Sequence, residues 1–210
     1  MAILETKKSV CRENIESLAI AVLVIVFIEV FVARSFVVDG PSMQPTFYTG
    51  ERLVVNRLVY QWRQPHTGDI VVLIPPHDEQ RLYIKRVIAG PDQTVEIRKS
   101  KVYVDGEPLT EPYIKEKTFN DFPLHVVPEG DIFVMGDNRN NSLDSREDQV
   151  GFIPLPNVIG KAAFIFWPFN KLGVIANPVY ARPVLTPSDP DDIRTMVRDA
   201  GRAPLRGSGR

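Results

Sequence analysis

Thiols are almost missing from this chain, in which Cys11 is the only cysteine among 210 residues. A disulfide framework needs cysteine pairs and a metal ribbon needs several thiolates or imidazoles, so neither organises the fold. Histidine is scarce as well. His66, His77 and His125 sit in turn-like contexts (QPHTGD, PPHDEQ, PLHVVP), which gives a Ser-His-Asp triad little support. An excess of either charge is also absent: 25 Lys+Arg against 26 Asp+Glu leave a formal net charge of −1, so no global field recruits nucleic acid or an anionic surface. What the chain does have is 44% hydrophobic residues, enough for a sizeable core and too many for wholesale disorder.

Those hydrophobic residues are unevenly spread. The mean hydropathy of −0.08 is that of an ordinary soluble protein, yet every residue from 18 to 28 is apolar (LAIAVLVIVFI), and after Glu29 the run resumes as Val30, Phe31, Val32 and Ala33. As a helix, residues 18–38 would extend roughly 31 Å at ~1.5 Å per residue, sufficient for a bilayer core of about 30 Å. Glu29 opposes this at a cost on the order of 2.5–3.5 kcal/mol, while Arg34 lies close enough to the end to snorkel. The sequence therefore predicts a short cytoplasmic segment at 1–16, a transmembrane helix at 17–37, an extracytoplasmic domain at 38–180 and a tail at 181–210. A cleavable secretory signal competes with this, because Lys7, Lys8 and Arg12 precede the run and Ala33-Arg34-Ser35 follows it as a small-x-small site. The Lys/Arg imbalance around the run predicts an inside amino terminus and an outside body.

Beyond residue 38 the apolar residues fall in brief β-branched runs, at 53–55, 70–74, 82–88, 94–97, 101–104, 132–135 and 162–166. Turn chemistry separates them, including Thr67-Gly68-Asp69, Gly90-Pro91-Asp92, Asp105-Gly106 and Gly136-Asp137-Asn138. The expected fold is mainly β, an antiparallel domain. The last thirty residues are rich in proline and arginine, with a helical spacing at Ile193, Met196, Val197 and Ala200 that predicts a short helix at 191–200.

Three segments carry chemistry. In Val38-Asp39-Gly40-Pro41-Ser42-Met43-Gln44-Pro45-Thr46 the two prolines stiffen a loop that presents Ser42, either as a nucleophile or as an ordinary turn residue. In Leu82-Tyr83-Ile84-Lys85-Arg86-Val87-Ile88 strand alternation sets Lys85 and Arg86 on opposite, largely apolar faces. A desolvated lysine gives up its proton more readily and can act as a general base, and the alternative is structural ion pairing. The third segment, GDNRNNSLDSR at 136–146, is dense in polar groups. If its second half is extended, Ser142, Asp144 and Arg146 share a side. As a calcium loop it lacks the terminal bidentate glutamate and contains two arginines.

GPSMQPT (40–46), GDIVV (68–72), YIKRVIAG (83–90) and GDNRNNSLDSR, in this order after one apolar run and continuing through GFIPLPNVIGKAAFIFWPF (151–169), resemble the type I signal peptidases of bacterial membranes. The resemblance implies a β-rich, cofactor-free and metal-free catalytic domain preceded by a single transmembrane helix in the plasma membrane. It implies Ser42 as nucleophile and Lys85 as general base, Ser142 and Asp144 as supports of the lysine, and Arg86, Asp137 and Arg146 as ion-pair scaffolding. Val38, Met43, Tyr83 and Ile84 would line shallow substrate pockets. The substrates implied are preproteins, cut after a small residue with another at −3.

Two departures stand out. Many relatives carry a serine two residues before the nucleophile, where this chain has Gly40, so the oxyanion falls to the Ser42 main-chain N–H and to main-chain donors or water around Gly40. After the lysine strand the chain reads Ala89-Gly90-Pro91-Asp92-Gln93 in place of the frequent Gly-Asp turn. Phe36, Phe47, Tyr48 and Trp62 are candidates for the bilayer interface. The rival functions are a tethered β domain that binds peptides without cutting and a soluble Ser/Lys self-cleaving regulator. The apolar run replaces the DNA-binding helical domain that the latter requires.

Overall fold

The computed structural model describes residues 2–27, 33–78 and 80–178. Two units divide the chain, Met1–Val179 and Tyr180–Arg210. The second lies outside the described residues, and with it the helix expected at 191–200.

An amino-terminal helix, α1, runs Ala2–Phe27. The transmembrane helix expected at 17–37 does not have those bounds. Residues 28–32 lie outside the described residues, and Ala33–Val37 is a strand, β1. Among the described residues no helix is long and apolar enough to cross a membrane. The reason for the strand is local pairing: β1 lies antiparallel to β2 (Arg52–Asn56), with Ser35 opposite Val54 and Val37 opposite Arg52. This supplies ladder partners that the backbone of β2 would otherwise lack on that side.

The remaining strands are β3 (Ile70–Leu73), β4 (Tyr83–Ala89), β5 (Thr94–Arg98), β6 (Lys101–Val104), β7 (Glu107–Pro108), β8 (Phe122–Val126), β9 (Asp131–Met135), β10 (Ile153–Pro154), β11 (Val158–Trp167) and β12 (Gly173–Val174). They form two antiparallel sheets. The larger has the order β1-β2-β11-β3-β4-β9-β10 with β12 beside β11, and the smaller has the order β7-β6-β5-β8.

Burial follows the sequence pattern. The continuous run Ile70-Val71-Val72-Leu73 is buried at every position, as a strand covered on both faces requires. Val71 and Leu73 pack with Val87, Ile132 and Val134, while Val38, Met43, Phe47, Leu53, Ile70 and Ala162 form a separate cluster. Ile88, Phe133 and Met135 join Val95, Ile97 and Val102 of the smaller sheet in a third. Strand β4 therefore enters two cores at its far end, through Val87 and Ile88, while Tyr83 and Ile84 at its start pack at the margins of two clusters and, with Lys85, line a groove.

A buried carboxylate ties the larger sheet to its surroundings. Asp69 accepts from Arg63 at 2.8 Å, from the Tyr60 hydroxyl at 3.1 Å and from Asn177 at 2.5 Å, and pairs with Lys161 at 2.7 Å. Burial opposes its ionisation, but the bonds from Arg63, Lys161 and the His66 N–H win and hold the carboxyl well below its ordinary range.

Candidate active site

Ser42 sits in an excursion between β1 and β2. The Val38 N–H donates to the Glu51 carbonyl at 2.8 Å and the Gly50 N–H to the Val38 carbonyl at 2.9 Å, which closes the loop at its base. Inside it the Phe47 N–H donates to the Met43 carbonyl at 2.9 Å, and both of these side chains are fully buried. Two apolar anchors thus fix the turn that carries Ser42, and this half-buried serine faces the groove. The burial of Met43 and Phe47 corrects two expectations. Met43 is a core residue beneath the groove, not one of its lining residues, and Phe47 cannot meet a bilayer because it packs against Leu53, Ile70 and Ala162.

Lys85 lies on β4 with 4% of its surface exposed. Its Nζ donates to Ser142 Oγ at 3.1 Å and stands 5.3 Å from the centre of the Tyr83 ring. Burial lowers its pKa; Asp144 opposes the change, Arg146 adds to it and Asp137 opposes it, leaving a value of about 8. Near neutrality about a tenth of such an amine is unprotonated, against less than one part in a thousand for an ordinary lysine.

The loop after β9 brings the other groups in. Asp144 is fully buried; it accepts the Gly136 N–H at 2.9 Å and both arms of Arg146, at 2.7 and 2.9 Å. Asp137 takes Arg86 bidentately, at 2.8 and 2.7 Å, and also accepts the Thr46 hydroxyl. Asn138 clamps the serine turn: its N–H donates to the Ser42 carbonyl at 3.0 Å and its side-chain amide to the Pro41 carbonyl at 3.1 Å.

Gly136 is the point where these parts meet. A Cβ there would lie 2.3 Å from Ser142 Oγ and 2.5 Å from the Ser42 carbonyl oxygen, so only glycine lets the serine turn and the lysine's hydrogen-bond partner approach this closely. The Gly136 carbonyl accepts Arg139 Nε at 3.1 Å. Arg139 is 1% exposed and paired with Glu111. Burial disfavours its charge, but the Glu111 hydrogen bond and charge outweigh burial and raise its pKa.

A groove of about 720 Å³ runs over this centre, between the arm Phe36-Val37-Val38-Asp39-Gly40-Pro41-Ser42 and the arm Arg81-Leu82-Tyr83-Ile84-Lys85. Each arm ends on a candidate reacting residue. Val38, Tyr83 and Ile84 line the groove, Leu53 and Val72 lie beneath it, and Asn141 and Leu143 rim it. Gly40 has φ +88° with open space where a Cβ would stand. None of the three histidines lines the groove. Among the described residues no group of His, Cys, Asp and Glu could hold a metal ion.

Of the residues singled out in the sequence, Lys85 and Ser142 are in direct contact, Asp144 reaches Arg146 and Gly136, and Arg86 reaches Asp137. Thr46, Glu111, Tyr113, Asn138 and Arg139 join the site without a role expected from the sequence. Thr46, Asn138 and Arg139 are polar groups within the two chemistry-bearing segments 38–46 and 136–146, which is the one signal the sequence holds for them. Glu111 and Tyr113, by contrast, stand in an unremarkable loop sequence (TEPYIKEK).

The β domain thus sets a serine and a buried lysine amine on one groove, and its relatives place it among the serine endopeptidases. The family model described as signal peptidase, peptidase S26, matches residues 11–167, and the chain belongs to that family. It is 43% identical over 173 residues to a probable signal peptidase I-1 of Synechocystis, covering 79% of this chain and 87% of the relative. It is 37% identical over 177 residues to a signal peptidase I of Bacillus licheniformis, covering 79% and 94%. A crystal structure of a signal peptidase I from Enterococcus faecalis matches 47% of this chain and 97% of its own, at 33% identity and a TM-score of 0.42.

Proposed function

We propose that this peptidase removes N-terminal signal peptides from exported preproteins with Ser42 as nucleophile and Lys85 as general base. The observation that carries the dyad is the buried Lys85 amine, on the same groove as Ser42 and bonded to Ser142. A lysine with a pKa of about 8 is a competent base near neutrality, where an ordinary lysine is almost wholly charged.

Ser42 Oγ attacks the scissile carbonyl carbon and neutral Lys85 takes the hydroxyl proton. The tetrahedral intermediate collapses as the lysine ammonium gives that proton to the leaving nitrogen, which releases the mature protein's amine and leaves an ester on Ser42. Lys85, neutral again, takes a proton from a water that attacks the ester carbonyl, and the lysine ammonium returns that proton to Ser42 Oγ as the ester bond breaks, restoring the serine hydroxyl and freeing the signal peptide's carboxylic acid, which ionises in water. Ser142 holds the amine and Asp144 supplies a nearby negative charge. The Ser42 main-chain N–H, which donates to none of the described residues, is available to the oxyanion. Two residues earlier, Gly40 offers a single main-chain N–H in place of a side-chain hydroxyl, Pro41 having none.

The substrate lies extended between the two arms as an added strand. Val38 and Ile84, with Leu53 and Val72 beneath, leave shallow apolar recesses that suit small residues at −1 and −3. Membrane attachment falls to the apolar run at 18–28. Leu18, Ile20, Val22, Leu23 and Val24 of α1 are all half or more exposed, as side chains meeting lipid would be. The exposed Trp62 and Tyr48 remain candidates for the interface, and the basic residues before the run keep the amino terminus inside the cell.

The test is incubation of the detergent-solubilised chain with a labelled preprotein, the cut site being read by mass spectrometry. Cleavage after a small residue that disappears in Ser42→Ala is the expected result. Cleavage that survives in Ser42→Ala overturns the assignment, and intact preprotein that stays bound to the wild-type chain favours a peptide-binding role instead.

A further inference from the structure

The segment between β7 and β8 belongs to the smaller sheet by sequence, but its alternate residues reach across to the catalytic loop. Glu111 pairs with the buried Arg139. The Tyr113 hydroxyl donates to the same Glu111 carboxylate at 3.2 Å, and the Arg86 guanidinium stacks 3.8 Å over the Tyr113 ring. The Lys115 N–H donates to the Asp137 carbonyl at 3.2 Å. The Asn140 amide donates to the Lys117 carbonyl at 2.9 Å, and its oxygen accepts the Phe119 N–H at 2.9 Å. Positions 111, 113, 115, 117 and 119 together fasten a strap over the loop that holds Ser142 and Asp144.

Two of these contacts lead to the reacting centre. Glu111 holds the Arg139 guanidinium, whose Nε holds the Gly136 carbonyl and whose own carbonyl accepts Arg146 at 2.6 Å. Gly136 is wedged between the Ser42 carbonyl and Ser142 Oγ. Tyr113 orients Glu111 and covers Arg86, whose carboxylate partner Asp137 also receives the Thr46 hydroxyl from the serine turn. We infer that Glu111 and Tyr113 are positioning residues, which set the distance between Ser42 and Lys85 by way of Arg139 and Gly136. Removing the Glu111 carboxylate leaves a buried guanidinium that must turn toward water, and Gly136 moves with it. The inference rests on the Ser42/Lys85 mechanism proposed above.

The experiment measures kcat, KM and the pH dependence of kcat on a preprotein peptide for Glu111→Ala, Glu111→Gln and Tyr113→Phe. Ser42→Ala and Lys85→Ala run in the same assay, with Glu116→Ala as a control at an exposed strap position. Displacement on the scale of an ångström lowers kcat by roughly ten- to a hundredfold in Glu111→Ala with KM little changed. Glu111→Gln, which keeps an acceptor for Arg139, recovers part of the loss, and Glu116→Ala matches the wild type. The acid limb of kcat moves to higher pH in Glu111→Ala, because looser packing admits water to Lys85. The charges that face Lys85 are Asp144, Arg146 and Asp137, not Glu111, so this limb moves only if the geometry moves. A folded Glu111→Ala with wild-type kcat and limb, or one that loses stability alone, overturns the inference. If Glu111→Ala does not fold, Tyr113→Phe decides by the same two readouts. Retained cleavage in Lys85→Ala would instead bring down the dyad itself, a result distinct from an inactive Lys85→Ala beside an unaffected Glu111→Ala.

Discussion

Burying the Lys85 amine has a stability cost with a definite pH signature, and Lys85→Met isolates it. The pKa falls from 10.5 to about 8 in the folded chain, so at 1.36 kcal/mol per pH unit the charged form is disfavoured by about 3 kcal/mol. Below pH 8 the amine is charged in both the folded and the unfolded chain, and the wild type carries the whole cost. Between pH 8 and 10.5 the unfolded chain binds a proton that the folded chain has released, so wild-type stability rises with pH, and above 10.5 the cost is gone. Methionine does not titrate and fills a similar volume, and Asp144 keeps its two bonds to Arg146, so no new orphaned charge confuses the comparison. Denaturant unfolding of both proteins in detergent at fixed pH, followed by tryptophan fluorescence, gives the difference in unfolding free energy. The wild type should gain about 3 kcal/mol on Lys85→Met from pH 7 to 11, most of it between 8 and 10.5. A difference that stays flat across this window refutes the reasoning, because it means that Lys85 is not desolvated in the folded chain.

Gly136→Ala puts a methyl group 2.5 Å from a main-chain oxygen; preprotein cleavage should fall by about a hundredfold as the serine turn is displaced, which turnover assays will register. Ser142→Ala removes the hydrogen-bond partner of the lysine amine, and kcat should drop by a comparable factor, about a hundredfold, with KM within about twofold. Asp137→Asn takes the carboxylate from a pair whose side chains are 2% and 0% exposed; the loss, about 3–5 kcal/mol, should appear in the denaturation midpoint.

The strands legible in the sequence are those with β-branched runs between turn residues: β2 to β6, β9 and β11. In β2, β5 and β6 alternation fixes one buried face, and in β3, β4 and β9 a continuous, mainly apolar run is buried on both. The misread element is β1, whose Ala-Arg-Ser-Phe-Val continues an apolar run and becomes a strand only because β2 offers it a partner fifteen or more residues later. Strand β8 escaped for the opposite reason. Phe122-Pro123-Leu124-His125-Val126 is an edge strand with a proline inside and four of its five residues exposed, so neither alternation nor burial announces it. Within the site, Ser42, Lys85 and the 136–146 loop stand out by composition. Met43, a pocket residue by resemblance, and Phe47, a bilayer candidate, both turn inward instead, because an apolar residue in a loop can line a groove, meet lipid or anchor in the core, and only the closure of that loop at Val38 and Glu51 decides. The strap at 111–119 was invisible, since Glu-Pro-Tyr acquires meaning only when folding sets it beside Arg139 and Arg86.

Acid quenching of a turnover mixture, followed by peptide mapping on a mass spectrometer, tests the mechanism most directly. An ester between the signal-peptide fragment and the peptide that contains Ser42 should accumulate in the wild type and be missing from Ser42→Ala and Lys85→Ala. An adduct on any other residue, or full turnover by Lys85→Ala, contradicts the assignment of Ser42 and Lys85 as the reacting pair.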